Sequence, residues 1–316
     1  MLAIKGIYAE YGIRRLNHGI GFNTAAIELL LPTYAEKLGL KGKIATHWAL
    51  NPHPTLIPAI ESGWVKQIHS FGSEVGMDAY MRARSDIYFT GRDGSMSSNR
   101  MYCQLAGLYA ADLFIGSTLQ IDLNGNSSTV TADRIAGFGG APNMGSDPHG
   151  RRHASEPWLK AGREAVDGHS PLMRGRKLVV QLVETFGEKM TPVFVERLDS
   201  LELAEKLKLD LAPIMIYGDD VTHIISEEGI ANLLLCRTAE EREQAIRGIA
   251  AFTEVGRRRD RKMVEKLRER KVIRRPEDLG INPLDAHRSL LAARSIKDLM
   301  HWSGNLYDPP NKFRNW

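Results

Sequence analysis

Residues 43–76, KIATHWALNPHPTLIPAIESGWVKQIHSFGSEVG, decide the fold class. Lys43–Ala49 and Val65–Phe71 read as strands, and Thr55–Ser62 between them reads as a short helix. Strand, helix and strand in so short a span argue for parallel strands covered by helices. The second strand runs out into Gly72-Ser73-Glu74-Val75-Gly76, which sets a carboxylate between two glycines. Open α/β sheets place their ligands at such strand ends.

Working outward, the same alternation continues. Asn23–Leu38 reads as a helix capped by Asn23 and kinked at Pro32. Asp86–Thr90 reads as a short strand. Ser97 or Ser98 is placed to cap a helix through Ala111, with a strand following at Asp112–Ile121. Lys177–Thr185, Thr191–Leu198 and Ala212–Ser226 are rich in Val, Ile and Leu. The expected fold class is α/β, a mostly parallel sheet flanked by helices. The pattern changes near residue 238, so a domain at 1–238 and a helical, charged C-terminal extension at 239–316, packed on it, are expected. In the extension, Thr238 with Glu241 suits a capping box for a helix through Ala251. Further helices are expected at Asp260–Lys271, Asp285–Ala293 and Ser295–Trp302. Tyr307–Trp316, with Pro309, Pro310 and three aromatic residues, reads as an ordered tail lying on the surface.

The composition of the 316 residues, 43% hydrophobic and 25% charged, is that of a globular protein. No run approaches the ~20 apolar residues of a membrane helix. Met1–Arg15 lacks the apolar stretch and cleavage site of a signal peptide. The two cysteines, Cys103 and Cys236, lie far apart and suggest neither a disulfide framework nor a zinc site, so a cytoplasmic location is expected. The net charge of +4 is uneven. Arg257–Arg275 holds 11 Lys/Arg against three acids, a local +8, and the remaining 31 basic and 35 acidic residues sum to −4. That segment has one hydrophobic face and no interleaved aromatics, which argues against nucleic acid and for a solvated or protein-facing helix.

Common catalytic signatures are missing. There is no Walker A sequence, HExxH or GxSxG. Pro142 breaks a dinucleotide fingerprint starting at Gly137. His149 and His153 have i,i+4 spacing, but Pro148 and Gly150 oppose a helix there, and no metal is expected. Three glycine-bearing segments remain. Leu16-Asn17-His18-Gly19-Ile20-Gly21-Phe22-Asn23 precedes a helix, where backbone amides suit a carboxylate or phosphate, although a tight structural turn gives the same pattern. Glu74 is placed to attack a thioester or to sit as a solvated loop acid. Gly116–Gly145, GSTLQIDLNGNSSTVTADRIAGFGGAPNMG, carries Gln120, Asp122, a hairpin-type turn at Asn124-Gly125 and a Gly137-Phe138-Gly139-Gly140-Ala141 loop. Such a loop can aim several N–H groups at one point and form an oxyanion hole.

Taken in order, these segments resemble the CoA transferases, whose "GIG" turn, "SENG" strand end and "QVD…GN…GMGGA" block are matched here by residues 19–21, 72–76 and 120–141. Val221–Ala231 resembles that family's later "VVTEYGIA" strand and turn. Over essentially the whole chain the sequence is more specifically similar to the α subunits of malonate decarboxylase. The stretches IYFTGRDGSMSSNR, IAGFGGAPNMGSDPHGRRHAS, IMIYGDDVTH, EEGIANLLLCR, RRPEDLG and FRNW carry that similarity.

The resemblance implies a CoA-transferase-like fold and an acyl-carrier-protein transferase that exchanges acetate for malonate on a carrier thiol. It implies Glu74, Gly139 and Gly140 as catalytic groups. It implies Gly19, Gly21, Asn23, Gln120, Asn126, Gly137, Phe138, Ala141 and Asn143 as substrate or thioester contacts. The thiol would belong to a phosphoribosyl-dephospho-CoA-type prosthetic group of a carrier protein, with CoA thioesters as surrogates and no tightly bound cofactor. Expected partners are the carrier protein, malonyl-decarboxylating sister subunits, malonate and acetate, with neither membrane nor nucleic acid. Arg92, Arg134, Arg151 and Arg152 are candidates for clamping malonate. The family's α subunit is longer, with a homologous half that this chain lacks upstream of its "GIG" turn. A separate chain supplying that half is therefore expected. A non-catalytic half-domain that docks the carrier or a sister subunit is the alternative. Val75 stands where the family has Asn.

Overall fold

The computed structural model describes residues 1–70, 72, 74–96, 112–136, 178–187, 190–282, 284–285 and 290–314. The first two residues apart, these fall into two compact units, Ala3–Leu113 with Asn282–Trp316, and Phe114–Ile281. The expected boundary at 238/239 does not coincide with this division. Ala239–Ile281 joins the second unit, and the chain beyond it returns to the first.

In the first unit, strands β1 (Arg15–His18), β2 (His47–Leu50) and β3 (Gln67–Ser70) lie side by side and parallel. The register pairs Leu16 with Trp48 and Leu50 with Ser70, so the C-terminal ends of β2 and β3 are level. Helix α1 (Phe22–Leu30) follows β1, and a 3-10 turn with α2 (Ile57–Glu61) joins β2 to β3 as expected. The Asp86–Thr90 strand reduces to a single parallel bridge between Ile68 and Tyr88. Trp64, Tyr8, Tyr80, Tyr88, Ile4 and Ile7 are fully buried and make the core. Burying such side chains stabilises by about 1.5–3 kcal/mol each.

Two details of α1 differ from expectation. Its N-cap is Gly21, in extended backbone, and Asn23 makes no capping bond. Thr24 explains this, because its hydroxyl donates to the carbonyls of Gly19 (2.6 Å) and Gly21 (2.9 Å) and closes the turn two residues earlier. The helix also does not run on as a kinked α-helix. Leu31–Ala35 continues as a π-helical turn around Pro32, whose missing N–H and ring break the regular i→i−4 ladder.

In the second unit, β7 (Leu178–Leu182) runs parallel to β8 (His223–Ser226) and lies beside β4 (Leu113–Ser117). β8 turns through Glu227-Glu228 into antiparallel β9 (Gly229–Asn232), with β10 (Ile273–Arg274) at the edge. The strand expected over Asp112–Ile121 breaks after β4. The Thr118 hydroxyl bonds the carbonyls of Gln120 and Ser128 and turns the chain into a separate pair, β5 (Gln120–Ile121) and β6 (Ser127–Ser128). Their connection is not a two-residue turn. The Asp122 carboxylate accepts the N–H groups of Asn124 and Asn126, with Gly125 left-handed at φ +82°. Thr191–Leu198 makes only isolated bridges, and of Ala212–Ser226 only the last four residues form a strand. Among the described residues, no helix is long and apolar enough to cross a membrane.

Three helices of the C-terminal part begin within a residue of where the sequence puts them. Thr238 accepts the Glu241 N–H at the start of Ala239–Gly248, and Asp260 caps Arg261–Glu269. Ser295 and Asp298 form a full capping box at the start of Ile296–Trp302. Of the helix expected over 285–293, residues 286–289 lie outside the described residues and 290–293 are not helical, while the helix expected to end at Ala111 lies outside the described residues.

Candidate active site

Three loops of the first unit leave the C-terminal ends of the parallel strands. Gly19-Ile20-Gly21 follows β1, Asn51–Pro54 follows β2, and the Glu74 turn follows β3. Strand order and parallel direction thus bring two of the sequence-derived segments, the Gly19–Gly21 turn and Glu74, to one edge. Asn23 is there too, in the first turn of α1.

The Glu74 turn is held from both sides. The Glu74 carbonyl accepts the Met77 N–H at 3.0 Å. Gly76 is left-handed at φ +87°, and its carbonyl accepts the Asp308 N–H at 2.9 Å. A Cβ on Gly76 would sit 2.3 Å from the Asp308 carbonyl oxygen, so glycine is needed both for conformation and for closeness. Arg314 pairs with Asp308, and the Tyr307 N–H is accepted by the Ser303 hydroxyl, so the tail is tied down next to the turn. The expected ordered tail is therefore part of the site's frame.

Beneath this edge lies a buried polar cluster that sequence reasoning missed. Glu28, on α1, is fully buried. Its Oε1 accepts from Nδ1 of His18 (2.9 Å) and Nδ1 of His53 (2.8 Å), and its Oε2 accepts from the Thr55 hydroxyl at 2.5 Å. The Tyr8 hydroxyl, 2.5 Å from His18 Nε2, ends the chain. Burial, with the Glu28 charge adding to it, pushes the Tyr8 pKa well above its ordinary value, so Tyr8 is the donor and His18 the acceptor. Burial also lowers the His18 pKa despite Glu28, which leaves His18 neutral with its proton on Nδ1. Burial alone would raise the Glu28 pKa, but the His53 charge and the hydrogen bonds from both histidines outweigh it and hold Glu28 at about 2. For His53, burial lowers the pKa, and the charge and hydrogen bond of Glu28, with the charge of Glu74, more than reverse it. The cluster is thus a carboxylate and imidazolium pair with a neutral histidine attached. Asn51-Pro52-His53-Pro54 after a strand was the signal available in the sequence, a rigid turn carrying one titratable group.

The other expected contacts are placed differently. In the second unit, Gln120 Oε1 accepts the Asp199 N–H at 3.0 Å and holds the start of helix Asp199–Leu207. Asn126 donates to Asp122 Oδ2 and accepts the Gly218 N–H. Both amides are hydrogen-bonded inside the protein. Arg92 and Arg134 are exposed. Gly137, Phe138, Gly139, Gly140, Ala141 and Asn143 lie outside the described residues, as do Arg151, Arg152, His149, His153 and Cys103. Among the described residues, no group of three or more His, Cys, Asp or Glu is arranged to hold a metal ion.

The family described as malonate decarboxylase, alpha subunit, transporter, matches residues 1–316. The chain belongs to the malonate decarboxylase α-subunit family. An acetyl-S-ACP:malonate ACP transferase of Malonomonas rubra is 63% identical over 321 residues, covering 100% of this chain and 58% of that protein. The structure superposes on a chain of a Pseudomonas malonate decarboxylase hetero-tetramer in complex with malonate with a TM-score of 0.87. Identity there is 59%, with 100% of this chain and 57% of that one covered. A malonate decarboxylase α subunit from Acinetobacter baumannii gives 0.85 at 58% identity, covering 98% and 57%. The chain therefore spans a little over half the length of these malonate decarboxylase relatives. The α/β class with parallel strands and flanking helices expected from the sequence is the class observed in this malonate decarboxylase α-subunit chain.

Proposed function

We propose that this chain carries the acid-side half of an acyl-carrier-protein transferase, exchanging acetate for malonate on a thioester. The observation that carries the reading is Glu74, fixed between Gly72 and Gly76 at the end of a parallel strand and braced by the tail at Asp308. The 63% identical relative named as acetyl-S-ACP:malonate ACP transferase supports the substrate pair.

The chemistry balances without an outside reactant. A malonate carboxylate oxygen attacks the acetyl thioester carbon, forming a C–O bond. The tetrahedral intermediate collapses, the C–S bond breaks, and a mixed anhydride and a thiolate result. The thiolate then attacks the malonyl carbonyl, a new C–S bond forms, and acetate leaves with the electron pair of the broken C–O bond. Each tetrahedral oxyanion needs amide donors, a role assigned to Gly139 and Gly140 with Gly137, Phe138 and Ala141 shaping the loop. Loss of one such donor typically costs ~10²–10³ in kcat. Gly19, Gly21 and Asn23 hold the acid and Asn143 is assigned to the thioester side, while Gln120 and Asn126, whose amides bond within the protein, shape that side through the turns they hold. The thiol is that of a phosphoribosyl-dephospho-CoA-type group on a carrier protein. Malonyl-decarboxylating subunits take the product, and the remaining length of the relatives supplies the rest of the transferase.

Glu74→Gln tests the reading in the assembled transferase. Exchange is expected to fall at least tenfold with an unchanged melting temperature, and unaltered turnover contradicts the catalytic role. Hydroxylamine or borohydride treatment of acyl-CoA-exposed protein is expected to trap no glutamyl adduct, because the exchange runs through the free mixed anhydride.

A further inference from the structure

His53 ends an oriented pair that the exchange chemistry above does not use. It stands three residues past β2, between Pro52 and Pro54, and is only 7% exposed. Its Nδ1 is bound to Glu28 Oε1 at 2.8 Å, while its Nε2 is buried with no hydrogen-bond partner among the described residues. The other ring nitrogen of a histidine held in this way is fixed in direction by its carboxylate. A buried polar nitrogen without a partner calls for an explanation. The next parallel strand supplies a second such group: Ser70, level with Leu50 at the end of β3, has a buried hydroxyl without a partner among the described residues. Two unsatisfied polar groups therefore stand at the C-terminal ends of neighbouring strands, where the Glu74 turn also begins.

The charged groups acting on His53 are Glu28 from α1, the neutral His18 from β1 and Glu74 from the turn after β3. Glu28 is already committed to three hydrogen bonds. A small dicarboxylate brought close to Glu74 meets like charge and needs a cation to offset it. Arg92, the sequence candidate for clamping malonate that falls in this unit, is exposed.

We propose that His53 Nε2 is a substrate-binding donor, held by Glu28 to grip a carboxylate of the small acid beside Glu74. This rests on the transferase reading. The imidazolium donates Nε2–H to one carboxylate of the acid, and the second carboxylate is left to attack the thioester. Ser70 offers a hydroxyl at the same edge. His53 is held charged above the ordinary histidine value of 6.5, so the grip is strongest at low and neutral pH and weakens as pH rises through the raised pKa.

The test is carried out on the full chain and on the assembled transferase in parallel. In the full chain, the His53 ring resonances are followed by NMR while malonate is added, with acetate and inorganic sulfate as comparison anions. Malonate is expected to shift them and to raise the His53 pKa further. In the transferase, His53→Asn is expected to raise the KM for malonate at least tenfold with a smaller loss of kcat, and to remove the pH dependence of KM seen in the parent. A lost fold would change neither ratio selectively, and His53→Gln provides a second variant if Asn does not fold. Transfer with an unchanged malonate KM and pH profile in both variants overturns the assignment while leaving the transferase reading standing. Ring resonances that ignore malonate, or that respond equally to sulfate, overturn it as well. A parent that transfers no acetyl group removes the transferase reading, and the assignment with it.

Discussion

Glu28 accepts three hydrogen bonds in a place without solvent, and its environment sets a pH response that can be read in stability. Its pKa is lowered from 4.5 to about 2, so the stability it contributes is fully present above pH 4.5 and is lost as pH falls from there toward 2. The lowered His18 pKa acts in the same direction, removing stability as pH falls below 6.5. His53 acts oppositely, since its raised pKa gives stability that is complete below pH 6.5 and lost as pH climbs through the folded value. Urea unfolding across this range should therefore show a maximum with an acid limb and an alkaline limb. Glu28→Gln leaves His53 without its counter-charge and is expected to cost about 3–5 kcal/mol. The same variant should flatten the alkaline limb and remove Glu28's own share of the acid limb below pH 4.5, and retention of the alkaline limb would separate His53 from Glu28. None of this was legible locally. Glu28 looks like one more polar residue on α1, and His18, His53 and Tyr8 reach it from other elements. Glu74 was legible because its glycines and preceding strand are contiguous in sequence.

At the scale of elements, local signals were readable wherever the deciding atoms lie within a few residues. The cap at Thr238 bonds an N–H three positions ahead and was found, and the helices that Asp260 and Ser295 cap were placed within a residue of their starts. The break after β4 was not found, because the Thr118 hydroxyl bonds Ser128 across the pair it creates. The bracing of Gly76 by Asp308 joins residues far apart in sequence and has no local pattern at all. Gly76→Ala should put a Cβ against the Asp308 carbonyl at a left-handed position, costing on the order of 1–3 kcal/mol. Limited proteolysis should then cut within residues 303–314 sooner than in the parent, and unchanged cleavage would show the brace to be dispensable. The basic segment also changes meaning in structure. Arg258, Arg268 and Arg270 are paired with Glu196 and Glu254, with Asp278 and Glu277, and with Glu241 respectively. Arg261, Lys262 and Lys266 are exposed along helix Arg261–Glu269. Reversing these three to Glu is expected to weaken binding to an acidic carrier and to abolish its salt dependence, with little effect on melting. A dissociation constant unchanged at low salt would reduce the segment to a solvated face.

At the scale of the whole molecule, the α/β class followed from the strand and helix alternation of residues 43–76. The division into units did not, because the composition change near residue 238 marks a shift from strands to helices within one compact unit. The glycine loop at 137–141 lies outside the described residues, and Glu74 lies in a described turn after β3. The chain covers 57–58% of the malonate decarboxylase relatives, and the account assigns to their remaining length a share of the transferase. The central claim is the exchange itself, and mass spectrometry of the carrier thiol measures it most directly. Acetyl-carrier protein is incubated with isotopically labelled malonate, first with this chain alone and then with this chain joined by the rest of the relatives' sequence. The joined protein is expected to yield labelled malonyl-carrier and free acetate, the chain alone little or none, and Glu74→Gln a large loss. Acetyl-carrier left unconverted by the joined protein, or converted equally well after Glu74→Gln, would contradict the central claim.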